Sequence, residues 1–168
     1  QETEQLREEI DSLKEAVYKD ELTRAYNRKW LYDKLVNRND DTLTLSGTLV
    51  IIDLNFFKLI NDTYGHIVGD KVLTFLSNQL QKTKQNVVRY GGDEFIVIYK
   101  DTDASTALAN INAIREKIIA KKLKSADNTF RVSFSIGAYT FEEGAYLSDI
   151  IELADKNMYD DKVKIKKR

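Results

Sequence analysis

Residues Gly47 to Asp53 read GTLVIID, an unbroken apolar run that ends in an acid. Apolar residues without alternation suit a strand covered on both faces, and such a strand demands helical layers on either side of its sheet. The surrounding patterns supply them. A helical stretch carries Trp30, Leu31 and Leu35 and ends in NRNDDT; Asp20 and Thr23 ahead of it are expected as helix caps. After the strand come a short helix around Phe57 to Ile60, a turn at TYGH, and a helix with Val72, Leu73, Phe75, Leu76 and Leu80 on one side.

RYGGDEFIVIY, Arg89 to Tyr99, reads as a hairpin whose glycines supply the positive φ of a tight turn. Ala107, Leu108, Ile111, Ile114, Ile118 and Ile119 outline another helix. Phe130, Val132, Phe134, Ile136 and Ala138 alternate with Arg131, Ser133, Ser135 and Gly137, which predicts a half-buried strand, and a last helix holds Leu147, Ile150, Ile151, Ala154 and Met158. The order strand, helices, hairpin, helix, strand, helix predicts an α/β sandwich with a mixed sheet. Ahead of it, Leu6, Ile10, Leu13 and Val17 follow the a/d spacing of a coiled-coil seam, or of an amphipathic helix docked on its own domain. The expected division is a helix over 1–19 and one domain over 20–168.

Composition narrows the chemistry. The chain has no cysteine and one histidine, which excludes thiolate zinc sites, disulfides and multi-histidine metal clusters, so a metal would be held by oxygen. A net charge of −1 gives no basic face for nucleic acid, and no nucleic-acid partner is expected. Charge is uneven along the chain: residues 1–21 hold eight acids against three bases, and Lys162 to Arg168 hold five bases in seven residues. No apolar run reaches the ~20 residues of a membrane span. Cytoplasmic location is expected, on the cytoplasmic side of the membrane if a longer protein is anchored there; the start at Gln1 fits a piece of such a protein.

Asp53 ends the buried strand, where ligands of open α/β sheets gather, and it equally suits a helix cap. Asp93 and Glu94 lie on the hairpin tip, where a solvated turn is the plain alternative. Forty positions separate Asp53 from Asp93, so spacing does not show that they meet. In FFKLINDTYGHIVGD, Phe56 to Asp70, a helix entered just after a strand offers N–H groups to an anion and Lys58 adds a point charge. Asn61 and Asp70 supply an amide and a carboxylate able to read a guanine edge, or simply caps and turn acids around Gly65 and Gly69. His66 reads as a turn residue.

Together these stretches resemble the GGDEF family of diguanylate cyclases from about Asp20 to Lys162. DELTRAYNRK, DLNFFKLINDTYGHIVGD, RYGGDEF, VSFSIG and ADKNMYDDK look like five family motifs in family order. The resemblance implies a palm-like nucleotidyl-cyclase sandwich, its sheet flanked by helices, and the conversion of two GTP to cyclic di-GMP and two pyrophosphates. It implies that Asp53, Asp93 and the Leu54 carbonyl bind Mg²⁺ or Mn²⁺, and that Glu94 and Lys58 assist catalysis. Lys162 and Lys166 would hold phosphates, Asn61 and Asp70 would read guanine, and Phe56, Phe57 and His66 would line the substrate pocket. Each domain would bind one GTP, so a homodimer is required, phased by the N-terminal helix under an upstream sensory domain.

Several positions depart from the family pattern. Asn55 replaces a second Asp, which is expected to weaken metal binding. Lys82-Thr83-Lys84-Gln85 stands where the family carries the Arg-x-x-Asp of product inhibition, which is therefore expected to be absent. Arg24 replaces a common glycine, and Ile165-Lys166 replaces a closing Gly-Arg. The rival expectation is a catalytically silent GGDEF domain that binds GTP or a protein partner as a regulator.

Overall fold

The computed structural model describes residues 2–166, with side chains described as far as Lys164. Strand β1 (Gly47–Leu54) lies between β3 (Glu94–Lys100) and β6 (Phe134–Phe141), and β2 (Asn86–Arg89) completes the order β2-β3-β1-β6. Its apolar run is divided between two cores. Val50, Ile52 and Leu54 pack with Val72 and Leu76 of α4 (His66–Leu80) and Ile111 of α5 (Ala104–Ala120). Leu49 and Ile51 pack with Trp30 and Leu31 of α2 (Arg28–Leu35) and Ile150 and Ala154 of α6 (Leu147–Lys166). Burial of side chains of this kind contributes about 1.5–3 kcal/mol each, which makes β1 the spine of the fold.

The four strands pair antiparallel throughout, and among the described residues the parallel component is one bridge, from Tyr26 to Val88. The residues expected as one strand over 130–138 are divided. A small hairpin, β4 (Leu123–Ser125) with β5 (Asn128–Phe130), precedes β6, and the start of β6 is buried on both faces. The reason is α6, packed so closely that a Cβ on Gly137 would fall 2.0 Å from the Ala154 carbonyl oxygen. The short helix after β1 is longer than expected, α3 (Phe57–Tyr64), and the TYGH turn is one residue, Gly65, at φ 92°.

Asp20 and Thr23 cap no helix. The Asp20 carboxylate accepts from the Thr23 N–H at 2.9 Å and hydroxyl at 2.8 Å, closing a turn that continues through Arg24 at φ 62°. Asn27 caps α2, accepting from Trp30 N at 3.0 Å. Ahead of this turn, α1 (Glu2–Tyr18) buries none of its residues, and its a/d side chains Leu6, Ile10, Leu13 and Val17 are 57%, 49%, 65% and 42% exposed. An amphipathic helix docked along its own domain would hide that seam.

Candidate active site

β1 delivers Asp53 to its carboxyl end on the face covered by α6. Register pairs Asp53 with Glu94, and Leu54 N donates to the Asp93 carbonyl at 3.1 Å, so the hairpin tip lies against the strand end. Antiparallel pairing thus joins residues the sequence holds forty positions apart. The tip is closed by Tyr90 N and Gly91 N, both donating to the Glu94 carbonyl at 2.9 and 3.1 Å. Neither Gly91 nor Gly92 takes a positive φ, so the expected reason for these glycines does not hold. Gly92 gives room: a Cβ there would meet nothing within 4 Å, leaving main chain open to a ligand, whereas one on Gly91 would touch Glu94 Cβ at 3.4 Å.

The carboxylates crowd one another. Burial first, then the charge of Asp53, pushes the Asp93 pKa up; burial and the charges of Asp53, Asp155 and Asp93 do the same to Glu94, partly offset by Arg28. Lys162 reaches in from α6 and donates to Asp53 Oδ2 at 2.5 Å. Among the described residues Asp53 Oδ1 is buried with no hydrogen-bond partner. An orphaned carboxylate oxygen beside two more acids is a natural place for a hard cation. No ready-made group of three metal-binding side chains exists among the described residues, so such an ion needs oxygens beyond the carboxylates.

The second part of the site lies on α3 and α4. Phe56 is exposed and left-handed at φ 59°, no side chain caps α3 among the described residues, and Lys58 projects into solvent from its first turn. Phe57 is half-buried on the core. Asn61 depends on Gly69 of α4, where a Cβ would stand 1.8 Å from the Asn61 Oδ1. Asp70 follows Gly69 and is exposed, as is His66 at the start of α4. Lys166 falls within α6, and its side chain lies outside the described residues.

Asn55 lies in the turn just past β1 and is tied to Ser133 and Ser135. It donates to Ser133 Oγ at 3.1 Å and accepts from Ser135 Oγ at 2.8 Å, so both ends of its amide are occupied. In the segment that replaces Arg-x-x-Asp, Thr83 is buried and Lys84 turns at φ 63°.

Three residues outside the expected set bear on the site. Asp155 of α6 adds a negative charge felt by Glu94, Arg28 adds a positive one and donates to the Tyr90 carbonyl at 2.6 Å, and Arg89 donates to the Gly92 carbonyl at 2.7 Å. The sequence signal was faint: Arg89 lies three positions from the carbonyl it holds, but Arg28 lies 62 positions from its own and is brought there by the fold, beside the Tyr26–Val88 bridge.

A family model described as the diguanylate cyclase GGDEF domain matches residues 17–168. Diguanylate cyclase A of Treponema denticola is 39% identical over 68% of this chain and 32% of its own length. The response regulator PleD of Caulobacter vibrioides is 34% identical over 94% of this chain and 36% of its own. The chain therefore spans about a third of the length of these relatives. Among solved structures, the coiled coil and GGDEF domain of DgcB from Caulobacter crescentus, in complex with c-di-GMP, superposes with a TM-score of 0.84 at 26% identity, covering 97% of this chain and 90% of that one. Diguanylate cyclase SiaD of Pseudomonas aeruginosa, in complex with its activator SiaC, gives 0.81 at 26% identity, with coverages of 96% and 64%.

Proposed function

The chain belongs to the diguanylate cyclase GGDEF domain family, and from that premise we propose that it condenses two GTP molecules into cyclic di-GMP with release of two pyrophosphates. The observation that carries the reading is the junction of Asp53 with Asp93 and Glu94 at one strand end, with Lys162 already drawn to it. Asp53, Asp93 and the Leu54 carbonyl would hold Mg²⁺ or Mn²⁺, which when bound would supply Lewis-acid chemistry, a lowered pKa for the GTP 3′-hydroxyl and charge neutralisation at the α-phosphate.

The chain's own side chains divide the remaining work. Lys162 exchanges its contact with Asp53 for the β- and γ-phosphates, with Lys166 as a further phosphate contact, and Lys58 offsets charge that develops on the transferred phosphoryl group. Glu94 supports the carboxylate cluster. The Asn61 amide and Asp70 carboxylate read guanine, the carboxylate accepting from N1–H and the exocyclic amine, while Phe56, Phe57 and His66 border the base.

Residues 20–168 constitute the catalytic domain and 1–19 a signalling helix. Each domain binds one GTP, and each 3′-hydroxyl attacks the α-phosphate on the facing domain, so turnover needs two copies. The exposed seam of α1 supports a parallel pairing, and short linkers of this kind give effective concentrations in roughly the millimolar range. An upstream sensor would act by changing that pairing. With lysine and glutamine in place of arginine and aspartate at residues 82 and 85, the product has no fork to bind on that surface.

Incubation with GTP and Mg²⁺, followed by chromatography for cyclic di-GMP, tests the reading. The rate per chain should rise with protein concentration, and Asp93→Ala should lower it by about 10³-fold. GTP binding without product across a wide protein range would make the chain a silent, GTP-binding regulator instead.

A further inference from the structure

The hairpin tip is not held by its own turn alone. Arg89, on the last residue of β2, donates through Nε and Nη2 to the Gly92 carbonyl at 3.2 and 2.7 Å, and through Nη1 to both Asp20 oxygens at 3.2 and 3.1 Å. One planar fork thus ties the carbonyl just before Asp93 to the turn that leaves α1. Arg28 takes hold two residues earlier, with Nε donating to the Tyr90 carbonyl at 2.6 Å and its guanidinium 3.9 Å above the Tyr90 ring. The residue before Arg28 is bound to the end of α1: Asn27 Nδ2 donates to the Val17 carbonyl at 2.7 Å, and Asn27 N to that of Tyr18 at 2.9 Å.

Both tethers converge on the same place. The two tip carbonyls are held by arginines, and each arginine is anchored in the segment where α1 ends. Asp20 is itself immobilised by Thr23, whose side chain is buried, so motion of α1 at this point is passed on rather than absorbed in a loose loop. Arginine suits the task because its fork makes parallel bonds that a lysine's point charge does not reproduce.

We infer that Arg28 and Arg89 are positioning residues through which the end of α1 sets the place of the Asp93 hairpin tip, so that displacement of α1 alters turnover with little change in GTP binding. Only the kinetic part of this inference rests on the cyclase reading.

Hydrogen exchange on the full chain tests the link without any activity. In Asp20→Asn and in the charge-retaining Arg89→Lys, the amides of residues 91–94 should exchange about tenfold faster while those of Val50 to Ile52 gain less than about threefold, the share set by lost global stability. Unchanged exchange at the tip, or a loss of protection spread equally over β1, overturns the inference, the latter because the bridge would then be holding the whole fold. In GTP turnover at protein concentrations where the rate per chain has levelled off, both variants should lower kcat about tenfold with KM changed by less than about twofold. A raised KM at unchanged kcat also overturns it. Absence of product from the wild-type chain would sink the cyclase reading and leave the exchange result to decide this one.

Discussion

Asp53, Asp93 and Glu94 are half-buried where paired strands meet the hairpin tip, whereas Lys58, His66 and Asp70 stand in solvent on α3 and α4. The first group is held by sheet register, by the Lys162 contact and by two arginines at the tip; beside the second, half-buried Asn61 is wedged against Gly69. Charge developing during reaction is best met by groups that need no rearrangement, and in the proposed reaction the end that would meet the phosphate is the one anchored on the sheet. Recognition of a base tolerates solvated groups, because discrimination comes from which hydrogen bonds are left unpaired when the wrong base binds.

Substitutions at the two ends should therefore fail differently. Lys162→Met removes the cation that meets Asp53, and kcat is expected to fall by about 10²–10³-fold, measured as cyclic di-GMP formed at saturating GTP. Asp70→Asn keeps the shape but replaces one of two acceptors by a donor, so preference for GTP over ATP should drop by about 10- to 100-fold in competition assays, with thermal stability unchanged.

Gly69→Ala sharpens the comparison further. Its Cβ must displace the Asn61 side chain, so KM for GTP should rise about tenfold. Alanine also favours the helix by about 0.8–1.0 kcal/mol over glycine, so stability should hold while binding suffers.

The smallest effect concerns the bridge beneath the tip. Burial works against the Asp20 charge, but hydrogen bonds from Thr23 and Arg89 outweigh it and hold the pKa below its ordinary 3.8. A lowered folded pKa adds stability that is fully present above the unfolded value and is lost as pH falls through the folded one. The Tm difference between wild type and Asp20→Asn should thus be steady down to about pH 4 and close below it, as read by thermal melts across acidic buffers.

Much of this architecture was legible because β1 carries its constraint locally. GTLVIID has no polar face, which called for cover on both sides, and helices α2, α4, α5 and α6 all announced themselves by apolar spacing. The segment around Phe130 misled because alternation there matched a half-buried strand; Gly137 is covered by α6, the next element folding back over the strand, and Ser135 is bonded to Asn55, eighty positions earlier. The GGDE glycines misled for a related reason, since glycine marks both positive φ and open space, and only the folded tip distinguishes them.

By itself the sequence determined the buried strand β1, the main helices and the motifs that mark the family, since each is written in neighbouring residues. The tertiary structure decided that Asp53 meets Asp93 and Glu94, that Asn55 is bonded to Ser133 and Ser135, and that two arginines tie the hairpin tip to the end of α1. Those contacts depend on strand register and on helices packing across the sheet, and neither is encoded within any one stretch of chain.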